Sequence, residues 1–221
     1  MLKSPVQIQF WDIVVFMRFM LQAKNFGKGE ELLKMEEYNE LHHCFPLLLR
    51  ESLSRNRRMA MGKVMQQKHP FDIVIVEQDD LRRAWNKTTS YLHLHEGLWI
   101  QIKRIQDHPK STHTLSRWGE KLQTIINNAG ITVLKPADGI LYLQNNIIFS
   151  EVTWNEVMVT LKTLSYPQPY PYKQVAISIS EFQNGKKIPA IHTWQIYPNY
   201  CDIGSVTDKD KVRLKDLYCL A

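Results

Sequence analysis

Asp138 and Glu151 flank the run GILYLQNNIIFS, which reads as a β-hairpin turning on Asn145-Asn146. With a two-residue loop, Gln144 pairs with Ile147, Ile140 lies opposite Glu151 and Asp138 lies opposite Thr153. The two acids are then diagonal neighbours on one face, about 7–8 Å apart at the backbone. Carboxylates so placed converge on a hard divalent cation such as Mg²⁺ or Mn²⁺, which prefers oxygen ligands. A three-residue loop pairs Asp138 with Val152 instead, and the acids point to opposite faces. The loop length therefore decides between a metal site and an ordinary sheet.

Other side chains offer less. His93 and His95 alternate on one strand, about 7 Å apart, but two ligands do not complete a transition-metal site and no CxxC or HExxH spacing supplies the rest. His42, His43 and Cys44 are consecutive at the end of a helical stretch, where neighbours do not face one another. A cysteine nucleophile there would need a distant base such as His192; a buried, small apolar role suits Cys44 better. With nine glycines in all, the chain carries no phosphate-cradling loop, nucleophile elbow or dinucleotide fingerprint.

An Asp at the head of one strand, then an acid two residues before a lysine on the next, then a helix, make up the core motif of the PD-(D/E)xK nucleases. The stretch from Asp138 through Glu151 to the helix beginning at Trp154 resembles it. Ala137 separates Pro136 from Asp138, and Thr153 stands at the lysine position, so Lys162 on the helix is the nearest residue for that role. The resemblance implies phosphodiester cleavage with Mg²⁺ or Mn²⁺ held by Asp138 and Glu151, and Lys162 beside the attacking water.

The charge points elsewhere. Between residues 50 and 68, six basic side chains (Arg50, Arg55, Arg57, Arg58, Lys63, Lys68) meet one acid, Glu51, so this segment holds all but one of the chain's six surplus positive charges. Such a block attracts phosphate backbones or anionic protein surfaces, because each phosphate neutralised releases condensed counterions. Pro46 is suited to opening a helix, with Leu49, Leu53, Ala60 and Val64 on one apolar stripe and the bases around it.

The elements that must carry these residues follow from periodicity. QFWDIVVFMRFMLQ is interrupted by Asp12 and Arg18, too soon for a membrane span, and lacks a basic start and a small-residue cleavage site; we expect a buried first helix. GEELLKMEEYNELHH reads as helix. Ile73–Val76 is a β-branched run suited to a strand covered on both faces. DLRRAW suits a short helix, YLHLHEGLWIQIKRI a hairpin, and STHTLSRWGEKLQTIINNAG a helix ended by Gly130. TWNEVMVTLKTLS is helical, YPQPYPY a proline-stiffened loop, and KQVAISISEF and KIPAIHTWQIYP two strands joined at Asn184-Gly185. TDKDKVRLKDLYCL closes as a capped helix.

These elements predict an α+β protein: a helical N-terminal part followed by a mostly antiparallel sheet with packed helices. Residues 1–110 would be mainly helical with one buried strand and a hairpin, and 111–221 an α+β part with a meander, the soft link lying at 107–112. Composition, 44% apolar and 23% charged, excludes disordered and fibrous classes. Three scattered cysteines make no disulfide framework and suggest an intracellular, cytoplasmic setting. The expected function is non-enzymatic binding of nucleic acid or an anionic protein surface through 50–68, without a cofactor and within a larger assembly. The alternatives are the metal-dependent nuclease and an interaction factor using the Pro/Tyr loop.

Overall fold

The computed structural model describes residues 8–11, 13–14, 36–65, 69–79, 97–105, 115–131, 139–145, 154–183, 186–204 and 207–220. They form, in chain order, β1 (Ile8–Phe10), α1 (Glu36–Arg55), β2 (Met59–Val64), β3 (Ile73–Glu77), β4 (Leu98–Ile105), α2 (Leu115–Ile131), β5 (Ile140–Asn145), α3 (Trp154–Lys162), β6 (Gln174–Gln183), β7 (Lys186–Tyr197), β8 (Cys201–Asp202) and α4 (Asp208–Tyr218). The chain divides into two compact units, one of Met1–Gln101 with Ile203–Ala221 and one of Ile102–Asp202.

In the first unit, β3 is the buried strand its sequence predicts. Ile73 to Val76 are each at most 1% exposed, and the strand pairs antiparallel with β2 on one side and β4 on the other. Strand β1 pairs antiparallel with β2, Ile8 opposite Val64 and Phe10 opposite Gly62. Gly62 is required there: a Cβ on it would run into Ile8 Cγ2 and the Phe10 ring. The N-terminal run therefore contributes a strand at Gln9 and Phe10, where a helix was expected.

Helix α1 also departs from expectation. It does not open at Pro46 but contains it. An interior proline costs a helical hydrogen bond and about 3 kcal/mol, which is offset by burying Cys44, Phe45, Leu47, Leu48 and Leu49 on the surrounding turns. The helix stops at Arg55 because Asn56 takes the left-handed conformation, φ 52°, and the Arg57 amide donates to the Ser52 carbonyl at 3.2 Å. That is a Schellman stop, with Asn in the position glycine usually fills. Residues 59–64, which the stripe Leu49, Leu53, Ala60, Val64 carried into a helix, are instead strand β2. Its burial at nearly every position reflects cover on both faces, not a helical stripe.

Helix α4 belongs to this unit. Thr207 caps it: its hydroxyl accepts from the Asp210 amide at 3.2 Å while its own amide donates to Asp210 Oδ2 at 3.1 Å, the reciprocal capping box. It ends at Cys219, again left-handed with φ 51°.

The second unit holds α2, β5, α3, β6, β7 and β8. Trp118, Leu122, Ile126 and Ala129 line the buried stripe of α2, and Trp118 Nε1 donates to Asn145 Oδ1 at 3.1 Å inside the core. Strand β5 is buried along its length and runs parallel to β6, Ile140 opposite Gln174. The connection between them carries α3, so this is a βαβ crossover. β6 and β7 form the expected antiparallel pair, Gln183 opposite Lys186, and β7 pairs antiparallel with β8.

The Pro/Tyr stretch is a packed connector. Tyr170 donates its hydroxyl to the Ile126 carbonyl at 3.1 Å and Tyr166 to that of Ile196 at 3.2 Å, and the rings of Tyr166, Tyr170, Tyr172 and Tyr197 touch one another. The expected order, a helical block and then a mostly antiparallel sheet, is thus corrected. Strands occur from residue 8 onward, helices are distributed along the chain, and the strand pairing is mixed, within what is still broadly an α+β protein. Among the described residues, no helix is long and apolar enough to cross a membrane.

Candidate anion-binding interface

The Schellman stop at Asn56 splits the basic segment among three settings. Arg50 and Arg55 ride the last turns of α1, Arg57 and Arg58 occupy the turn, and Lys63 lies half-buried on β2. Lys68 lies outside the described residues. Arg50, Arg55, Arg57 and Arg58 are all exposed, so the cluster is not sealed into the core.

The four arginines are engaged differently. Arg55 meets Glu51 Oε2 at 2.8 Å and Glu77 Oε1 at 3.6 Å. Exposed pairs of this kind contribute about 0–1 kcal/mol and are readily exchanged for another anion. Arg58 turns toward the end of α4: its Nε donates to the Leu217 carbonyl, and its Nη2 lies 2.7 Å from Cys219 Sγ. A guanidinium there supplies protons to carbonyls the helix itself leaves unsatisfied, at the negative end of its dipole. The guanidinium of Arg57 has no hydrogen-bond or ion-pair partner among the described residues.

Helix α4 answers in kind. Arg213 Nη2 donates to the Leu53 carbonyl at 3.1 Å, in the last turn of α1. Each helix thus receives a guanidinium at its C-terminal end from the segment that carries the other. Between the two helices lies an open cleft of about 280 Å³ lined by Leu49, Arg50, Leu53, Ser54, Ile203, Asp210 and Arg213. Asp210 is the one carboxylate among its described lining residues. Hydrogen bonds from the Thr207 hydroxyl and amide, aided by the charges of Arg213 and Arg50, hold it below the ordinary carboxylate range.

Tyr218 joins α4 to α1 and β2. Its buried hydroxyl lies 2.8 Å from Ser52 Oγ, accepts from the Met59 amide at 2.8 Å and donates toward the Met59 carbonyl at 2.9 Å. Ser52 Oγ sends its own proton to the Leu48 carbonyl at 2.9 Å. This network fixes the turn on which Arg57 and Arg58 stand.

The other sequence candidates fare variously. Asp138 and Glu151 lie outside the described residues, as do His93 and His95. The described arm of their hairpin, β5, pairs in parallel with β6. Lys162 ends α3 exposed, its amine 5.2 Å from the centroid of the Tyr200 ring. His43 and Cys44 are both 0% exposed within α1, which leaves no thiol open to a substrate there. His192 packs against Trp154 and Trp194, with ring centroids 4.6 and 5.8 Å away. Among the described residues, no three His, Cys, Asp or Glu side chains gather where they could hold a metal ion.

Arg213 and Asp210 were not singled out by the sequence reading. Their contribution depends on a contact between residues about 160 positions apart, Arg213 with Leu53, which local periodicity does not encode. No protein-family model matches the chain, and no curated protein or solved structure is significantly similar to it.

Proposed function

We propose that this chain is a non-enzymatic binding protein whose partner is a nucleic acid, met by the guanidinium face that Arg50, Arg55 and Arg57 build around the end of α1. One observation carries this reading: Arg50, Arg55 and Arg57 are solvent-exposed within eight residues of one another, and Arg57 has no internal partner among the described residues. Exposed guanidinium groups at and just after a helix end hold phosphates by fork-shaped hydrogen bonds and gain affinity from counterion release. Arg55 would exchange its surface pairing for phosphate; Arg58 acts chiefly as a positioning residue, through α4.

The test is the salt dependence of binding to a mixed-sequence duplex and to a single strand. Affinity is expected to fall steeply as salt rises, and Arg57→Glu to weaken binding at every sequence and reduce the slope of log affinity against log salt by about 1. Affinity indifferent to salt, or a slope unchanged in Arg57→Glu, refutes the reading. Recovery of an acidic protein, unaffected by nuclease treatment, would assign the same face to a protein partner.

A further inference from the structure

The cleft between α1 and α4 has a composition that a plain electrostatic patch does not need. Its floor is apolar, from Leu49, Leu53 and Ile203, and its rim carries two guanidiniums, Arg50 and Arg213, one carboxylate, Asp210, and the Ser54 hydroxyl. Arg213 uses one N–H on the Leu53 carbonyl, which fixes its plane and leaves four donors of its five. The Asp210 carboxylate is turned to Thr207, whose hydroxyl reaches Oδ2 at 2.7 Å. The described residues of the rim therefore carry a net single positive charge. At about 280 Å³ the space falls just short of the roughly 300–1,000 Å³ typical of drug-sized pockets, so it suits a fragment of a polymer better than a whole cofactor.

We infer that this cleft is a subsite for one phosphodiester of a nucleic-acid strand, its phosphate held between Arg50 and Arg213 and a flanking sugar laid on Leu49, Leu53 and Ile203. A singly charged diester matches the net charge of the rim, and a guanidinium fork from each helix reaches its two free oxygens. The apolar floor gives the flanking sugar a surface that inorganic phosphate would leave unused. The inference rests on the nucleic-acid reading above and names a place for one of its phosphates. It also makes α4 part of the binding surface.

The probe is dithymidine monophosphate, which has one diester, titrated into the full chain and followed by the Nε–H resonances of the arginines. Thymidine and inorganic phosphate serve as comparisons. Dithymidine monophosphate is expected to shift Arg50 and Arg213, to bind at least tenfold more tightly than either comparison, and to lose at least fivefold in Arg50→Gln while the exposed Lys173→Gln stays within twofold of the parent. Arg213→Lys, which keeps a donor for Leu53, is expected to lose affinity without unfolding. Equal binding by Arg50→Gln, or inorganic phosphate binding as tightly as the diester, overturns the inference. Polynucleotide binding that survives in Arg50→Gln, with no dinucleotide shift at Arg50, removes the subsite and leaves the broader reading standing. Dinucleotide binding at Arg50 without any polynucleotide binding would do the opposite.

Discussion

Replacing Tyr218 by Phe removes one oxygen and leaves the ring in place, so it tests the hydroxyl network without opening a large cavity. In the parent, the Met59 amide donates to that oxygen at 2.8 Å, and Met59 is 2% exposed. The variant leaves a buried N–H with no acceptor, a loss of about 1–3 kcal/mol. The Met59 carbonyl loses its donor at 2.9 Å, and Ser52 Oγ loses a neighbour at 2.8 Å but keeps the Leu48 carbonyl. Since Ser52 is partly compensated, the expected loss for Tyr218→Phe is about 2–3 kcal/mol and for Ser52→Ala about 1 kcal/mol. The double variant should fall short of their sum, because both act on one network. Urea unfolding, followed by a probe in the first unit, measures all three. A loss below about 0.5 kcal/mol in Tyr218→Phe, within the error of the extrapolation, would mean that the Met59 amide is satisfied in some other way and that the hydroxyl does not fix the turn.

Two further outcomes are expected. Trp118→Phe keeps an aromatic ring in the α2 core but withdraws the donor 3.1 Å from Asn145 Oδ1; it should cost about 1–3 kcal/mol, and adding Asn145→Leu should cost less than it does in the parent. The chain has nine tyrosines, and burial pushes Tyr166, Tyr170 and Tyr218 upward and Tyr200 up to about 12. These phenols keep their protons in the fold past the pH at which unfolded ones ionise. Their stabilisation is therefore complete below about pH 10 and is lost as the pH rises through the folded values. Ultraviolet titration of tyrosinate should show at least these four groups un-ionised where the exposed ones have titrated. All nine ionising together near pH 10 in the folded protein would refute the burial argument.

What was legible in the sequence was local. The β-branched run of β3, the antiparallel pairing of β6 with β7, the stripe of α2 and the Thr207 cap are each encoded by neighbouring residues, and each appears as read. The basic segment was legible as charge but not as shape. Leu49, Leu53, Ala60 and Val64 fall on a helical period by coincidence, and the stop depends on Asn56 tolerating a left-handed backbone that glycine would have advertised plainly. Pro46 misled in the opposite direction, since tertiary burial on its flanks outweighs its local penalty. The parallel pairing of β5 and β6 could not be inferred from either strand alone, because register and direction are properties of the pair. For the same reason Arg50 was named from sequence and its counterpart Arg213 was not.

The tie between α4 and α1 has a consequence during synthesis. Met59 leaves the ribosome long before Tyr218, so the buried amide of residue 59 lacks its acceptor until Tyr218 has been made. The unit spanning Ile102–Asp202 is contiguous and has all its residues earlier. The first unit is built from two separate stretches and must wait for the later one, while its arginine-rich turn stands unclasped in the nascent polypeptide.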